Sequence, residues 1–227
     1  MQCGRLARAG WRNGFWTKRI RCRPARWRRW HDCAVQQGGG VAIAERSAAE
    51  AAQCISDAFE KAAIPYAIGG ALALAIAGVP RGTADVDVNV FLPEDRVADA
   101  MAVLAELGID LPVAAAEQAK HRGMFVGRWD GMRIDVFLPS IPFAAEAERT
   151  RVRVTDDSGW SGWFLAPEAL AVFKLLFFRG KDIVDLERLV AVRPELDKSY
   201  VRRHIVEMMG EDDDRTRRWD AITTVYG

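Results

Sequence analysis

The chain is poor in cysteine, and the cysteines it has are badly placed for shared work. Cys3, Cys22, Cys33 and Cys54 are irregularly spaced, with no Cys-x-x-Cys pair. That argues against both a disulfide framework and a structural zinc site. His31 stands near Cys33 but has no second ligand pair, so the two do not define a metal centre. A reduced, cytoplasmic setting is the expectation. Long hydrophobic runs are also missing: none reaches the 18 or so residues a membrane-spanning helix needs, so no membrane partner is expected. No apolar stretch of signal-peptide length follows the basic N-terminal residues. There is no internal repeat.

Net charge is nearly absent too, at +1, but the sum hides an asymmetry. Residues 1–33 carry ten Lys/Arg against one acid, and the remainder is correspondingly acidic. Total charge therefore says little about nucleic-acid binding. Apolar residues at 50% and charged residues at 28% are ordinary for a globular protein, and 227 residues suffice for a sizeable core. Residues 1–40 interleave Arg with Trp11, Trp16, Trp27 and Trp30 and end in a glycine run. Such a stretch could hold nucleic acid through phosphate contacts and stacking. The plainer reading, a disordered leader or upstream translated sequence, is the one adopted.

The informative stretch runs from Tyr66 to Leu92. A short apolar strand, Tyr66 to Ile68, meets Gly69-Gly70, which permits a tight turn and close approach of backbone to a ligand. An Ala/Leu helix over Ala71 to Ala77 follows, whose first N–H groups could face phosphates. Then come Arg81-Gly82-Thr83 and the alternating run Asp85-Val86-Asp87-Val88-Asn89-Val90. Alternation is the period of a strand, so Asp85 and Asp87 share a face. Two carboxylates that close repel each other unless a cation neutralises them. Further on, Met124 to Trp129 and Met132 to Leu138 read as strands joined by an Asp130-Gly131 turn, with Asp135 inside the second.

Upstream, Val41 to Ala63 reads as an amphipathic helix ended by Pro65. Leu92-Pro93-Glu94 opens another, with Gly108 just past its end. The stretch after Pro112 has little pattern. Arg151 to Val154 and Trp163 to Leu165 read as strands around an Asp156–Gly159 turn. Beyond Ala166 the pattern is all helical: Pro167 to Phe178, Lys181 to Val192, a helix capped by Asp197 and ended by Gly210, and one from Asp212 to Val225. The expected organisation is a leader (1–40), an α/β core with a small mixed sheet (41–165) and a helical C-terminal subdomain (166–227).

The ordered set of Gly-Gly, helix, Arg-x-Thr, Asp-x-Asp strand and a later strand carboxylate resembles the nucleotidyltransferase superfamily, the polymerase-β-like fold. Within it, the likeness is to the AbiEii-type toxin-like nucleotidyltransferases, whose C-terminal signature is similar to the run from Phe173 to Leu186. The resemblance implies that Asp85, Asp87 and Asp135 act as catalytic metal ligands for Mg²⁺ or Mn²⁺. It also implies that Gly69, Gly70, Arg81, Thr83, Lys174 and Lys181 form the nucleotide or acceptor site. A nucleoside triphosphate would be the substrate and an RNA (tRNA among them) or a protein the acceptor. The role implied is a toxin of a toxin–antitoxin or phage-defence system, with a cognate antitoxin as partner.

Plainer roles stand beside these: Arg81 paired with a carboxylate, Thr83 fixing its loop, Asp135 paired with Arg133, and Lys181 paired with Asp185 on one helix face. Three positions depart from the common pattern: Ala71 lacks a hydroxyl after the glycines, Ala77 stands where an aromatic or His is usual, and Asn89 stands where some relatives have another acid. The competing functions are a small-molecule nucleotidyltransferase of the aminoglycoside type and a non-catalytic nucleotide- or protein-binding module.

Overall fold

The computed structural model describes residues 46–227. The leader expected over residues 1–40 and the first residues of the helix expected from Val41 lie outside them. Six strands form one mixed sheet: β1 (Tyr66–Ile68), β2 (Asp85–Val90), β3 (Met124–Trp129), β4 (Met132–Phe137), β5 (Val152–Thr155) and β6 (Ser161–Phe164). Their order is β3-β4-β2-β1-β6-β5. The pairs β2–β4 and β1–β6 are parallel, and β1–β2, β3–β4 and β5–β6 are antiparallel. The α/β class with a mixed sheet and flanking helices is therefore as expected.

Helix α1 (Ala48–Lys61) begins where the sequence supplies a capping box. The Ser47 hydroxyl accepts from the Glu50 N–H at 3.2 Å, and the Glu50 carboxylate accepts from the Ser47 N–H. Ala48, Ala51, Ala52, Ile55 and Phe59 then fall on one buried face, which packs against β1, β2, β6 and α3 (Val97–Glu106). Pro93 and a short 3-10 turn, Glu94–Arg96, lead into α3, so that helix starts later than the sequence suggests.

Strand β2 sits in the interior of the sheet, and its alternation separates two environments. Val86, Val88 and Val90 are wholly buried on one face, while Asp85, Asp87 and Asn89 share the other. Sliding β2 by one residue would exchange the faces. Each buried valine lost to solvent costs roughly 1.5–3 kcal/mol, so the register is strongly specified. In β4, Ile134 and Val136 play the same part. The β3–β4 hairpin turns on Asp130 (φ 50°) and Gly131 (φ 85°), two positive angles that suit a two-residue turn matched to strand twist.

Two short helices were not expected. α4 (Ala115–Arg122) and α5 (Ala144–Thr150) each bury only two alanines, which leaves almost no apolar period to read. After β6 the described chain is helical: α6 (Pro167–Phe177), α7 (Gly180–Val192), α8 (Lys198–Met209) and α9 (Asp214–Tyr226). Asp197 caps α8 by accepting from the Tyr200 N–H at 2.8 Å, and Gly210 ends it. These helices pack on one another, and α6 also meets α2 (Gly70–Ile76), so one hydrophobic core runs from α1 through the sheet to α9.

Candidate functional site

The parallel pairing of β2 with β4 sets Asp87 directly opposite Asp135, and Asp85 opposite Arg133. Residues opposite one another in a ladder project from the same face, with adjacent strands about 4.8 Å apart. Asp85, Asp87 and Asp135 therefore share one surface of the sheet; the alternation predicted this for the first two, and the resemblance implied it for the third. The next same-face pair is Asn89 opposite Phe137.

The Gly69-Gly70 turn lies on top of Asp87. The Gly69 N–H donates to the Asp87 carbonyl at 2.8 Å. Gly70 has φ +53°, and a Cβ there would lie 1.7 Å from Asp87 Oδ2. Only glycine fits at position 70, on both counts. Beside it Asn89 is buried, with its amide N–H₂ reaching the Ala67 carbonyl at 3.5 Å. The α2 helix that follows is only seven residues long.

The carboxylates differ in their neighbours. The Thr83 hydroxyl reaches the Asp85 carbonyl oxygen at 3.2 Å and also the Asp85 carboxylate, which fixes the loop entering β2. Asp135 accepts from Arg133 Nε at 2.7 Å, and Arg133 is half-exposed. That is the plainer pairing allowed for by the sequence, and it leaves Asp135 on the shared face. Among the described residues Asp87 has no such partner. Burial, then the charges of Asp85 and Asp135, push its pKa up from 3.8 to about 6, against the pull of Lys174 and Lys181. Among the described residues, no three His, Cys, Asp or Glu side chains form a ready-made metal cage.

A second charged cluster braces the site from the helical side. Lys174 is buried in α6 and donates to Asp185 at 2.6 Å and to Asp182 at 3.4 Å. Arg81 donates to Asp185 at 3.3 Å, and Arg179 to Asp182 at 2.6 Å. Burial works to raise the pKa of Asp182, but the Arg179 hydrogen bond and the Lys174 charge outweigh it and hold it below the usual range. Arg81 is thus tied to α7 through Asp185, the carboxylate pairing rather than an open clamp. The Lys181–Asp185 pair is not made; Asp185 is taken by Lys174 and Arg81. Lys181 is exposed and makes no salt bridge with the described residues, yet its charge is felt at Asp87.

The structure also brings in residues that the sequence did not single out. A small recess of about 40 Å³ beside Asp87 is bounded by Gly70, Asn89, Phe137, Phe173 and Phe177. It has room for a water or two, so a larger ligand would lie across its open side. Arg179 stands at this edge, and its charge interacts with Asp87 and Asp135. The available signal was the Phe177-Phe178-Arg179-Gly180 break, where Phe178 takes φ +54° to end α6 and Arg179 turns the chain into α7. A larger hollow of about 500 Å³ between α5, α6 and α8, next to Phe143 and His204, is separate from the carboxylates.

No family model matches the sequence, and no curated protein sequence matches it significantly. Among solved structures, the chain is similar to the antibiotic-resistance factor ANT(2'')-Ia in solution, at 12% identity and a TM-score of 0.44, over 77% of this chain and 88% of that one. It is similar to ANT(2'')-Ia in a crystal complex with adenylyl-2''-tobramycin, at 15% identity and TM-score 0.44, over 78% and 97%. It is also similar to an antigenic nucleotidyltransferase-like protein from Paracoccidioides brasiliensis, at 18% identity and TM-score 0.43, over 77% and 93%.

Proposed function

We propose that this protein is a divalent-cation-dependent nucleotidyltransferase that moves a nucleoside monophosphate from a nucleoside triphosphate to an acceptor and releases pyrophosphate. The observation that carries the reading is Asp87 facing Asp135 across two parallel strands, with Asp85 on the same face and Gly70 packed against Asp87. Such a concentration of negative charge, with one carboxyl driven up in pKa by burial and by the others, is relieved by a bound cation. Hard oxygen donors suit Mg²⁺ or Mn²⁺. Mg²⁺ binds through one or two carboxylates and fills the rest of its shell with water and phosphate oxygens, so no closed protein cage is needed.

When bound, the ion would neutralise phosphate charge and lower the pKa of the attacking hydroxyl. The protein's own part is to hold and orient. Asp85, fixed by Thr83, and Asp87, fixed by the glycine turn, present oxygens from one rigid strand. Asp135 comes from the next strand and faces Asp87, where it would complete the set of oxygens offered to the ion. Lys181 and Arg179 bring positive charge to the same edge for the phosphates. Lys174 acts differently: locked between Asp182 and Asp185, it braces α6 and α7 behind the site.

The acceptor we propose is an RNA, a tRNA end among them, or a protein. A toxin role with a cognate antitoxin rests on the likeness of the glycine, Arg-x-Thr and Asp-x-Asp set and of the Phe173 to Leu186 run. The test is incorporation of labelled nucleotide from ATP, GTP, CTP and UTP into RNA, protein and aminoglycoside acceptors. Loss of a residue that merely supports a metal ligand typically costs 10–100-fold, so Asp87→Asn should lower transfer by more than about 100-fold. Unchanged incorporation by that variant would end the proposal. Nucleotide binding without turnover on any acceptor would instead identify a binding module.

A further inference from the structure

We propose that Phe137 and Phe177, with Arg179, form the seat for the base of the nucleotide, so that this site grips its substrate's ring by stacking. The inference rests on the transfer reaction proposed above and adds to it the class of contact that selects the nucleotide. Three observations converge. Phe137 is the same-face neighbour of Asp135 on β4, so its ring stands beside the carboxylates on the surface they share. Phe177, in the last turn of α6, is packed against it with ring centroids 5.6 Å apart and planes inclined at 59°. Phe177 is nevertheless 44% exposed, although both rings border the recess beside Asp87.

The third observation is Arg179, whose guanidinium lies 4.8 Å from the centre of the Phe177 ring. It is also bonded to Asp182 and senses the charges of Asp87 and Asp135. A guanidinium plane on an aromatic face is itself a stacking surface. The edge of the site thus offers flat π surface next to flat cation, at the recess beside Asp87. An aromatic heterocycle joined to phosphates matches both halves of that arrangement. The two phenyl faces carry no hydrogen-bonding group, so base identity is read by ring area. Purines, with the larger face, bind more tightly than pyrimidines.

The test is calorimetric titration of the full chain with Mg²⁺ and either ATP, CTP or inorganic tripolyphosphate. Stacking on an aromatic side chain is typically worth 1–3 kcal/mol per base, so removing it weakens binding by about 5- to 150-fold. Phe177→Leu keeps the apolar bulk and loses the π face; Phe177→Tyr keeps the face. We expect Phe177→Leu to weaken ATP by at least about fivefold, leave tripolyphosphate unchanged and narrow the ATP-over-CTP preference, with Phe177→Tyr close to the parent. If the parent binds ATP and Phe177→Leu binds it equally well, or weakens ATP and tripolyphosphate alike, the stacking seat is refuted while the transferase reading stands. If the parent binds neither triphosphate, that reading falls and this inference falls with it. Melting curves of each variant identify any loss that comes from unfolding.

Discussion

Replacing Asp87 with Asn should make the metal-free protein more stable, and by an amount that depends on pH. The pKa of Asp87 rises from 3.8 to about 6 on folding. At 1.36 kcal/mol per unit, ionising this carboxyl in the folded state costs about 3 kcal/mol. The native state binds the extra proton, so stability falls as pH rises from about 4 to 6 and is lowest above 6. The penalty is near its full ~3 kcal/mol at pH 8 and about half that at pH 5. Asp87→Asn removes it. For a chain of this size, 1 kcal/mol shifts the melting temperature by about 2–4 °C, so the gain should reach up to about 6–12 °C at pH 8 and shrink by half at pH 5. Thermal denaturation of both proteins in EDTA across that range measures it directly. Adding Mg²⁺ should stabilise the parent selectively, because a bound cation favours the ionised form. A variant that melts at or below the parent at pH 8, or a gain that does not change with pH, would show that Asp87 is not the strained group described here.

Other perturbations test separate parts of the frame. Gly70→Ala combines a positive φ with a Cβ 1.7 Å from Asp87 Oδ2, so it should lose more than about 1 kcal/mol in urea denaturation and abolish Mg²⁺-dependent stabilisation. Lys174→Met leaves Asp182 and Asp185 buried, with Arg179 and Arg81 as their remaining partners among the described residues. Breaking a buried pair typically costs 3–5 kcal/mol, and the lower end, about 3, should appear as a melting drop of roughly 6–12 °C. Ser47→Ala removes the α1 cap and should cost about 1 kcal/mol without altering metal response, which a denaturation series with and without Mg²⁺ will show.

The parts of the fold that could be read in advance are those with a strong local signature. The alternation of β2 and β4 placed Asp85, Asp87 and Asp135 on strands, and the ladder register then brought them to one face. The Asp130-Gly131 turn and the caps at Asp197 and Gly210 were legible for the same reason: a single residue type fixes the backbone. α4 and α5 escaped because two buried alanines make no pattern. Arg179 and Phe177 escaped because their position depends on where α6 stops relative to the sheet, which no short window contains. Lys174 could have been read more closely. Set between Phe173, Leu175 and Leu176, its ammonium had to find buried counter-charges, and Asp182 and Asp185 lay one helix away.

The parallel pairing of β2 with β4 has a consequence for when the molecule becomes competent. No tight turn joins these two strands; α3, α4 and β3 intervene before Asp135 can meet Asp87. A chain still emerging from the ribosome therefore carries its first two acids with nothing opposite them. Under the transferase reading proposed above, it would stay idle until the later strand has been made and has docked alongside.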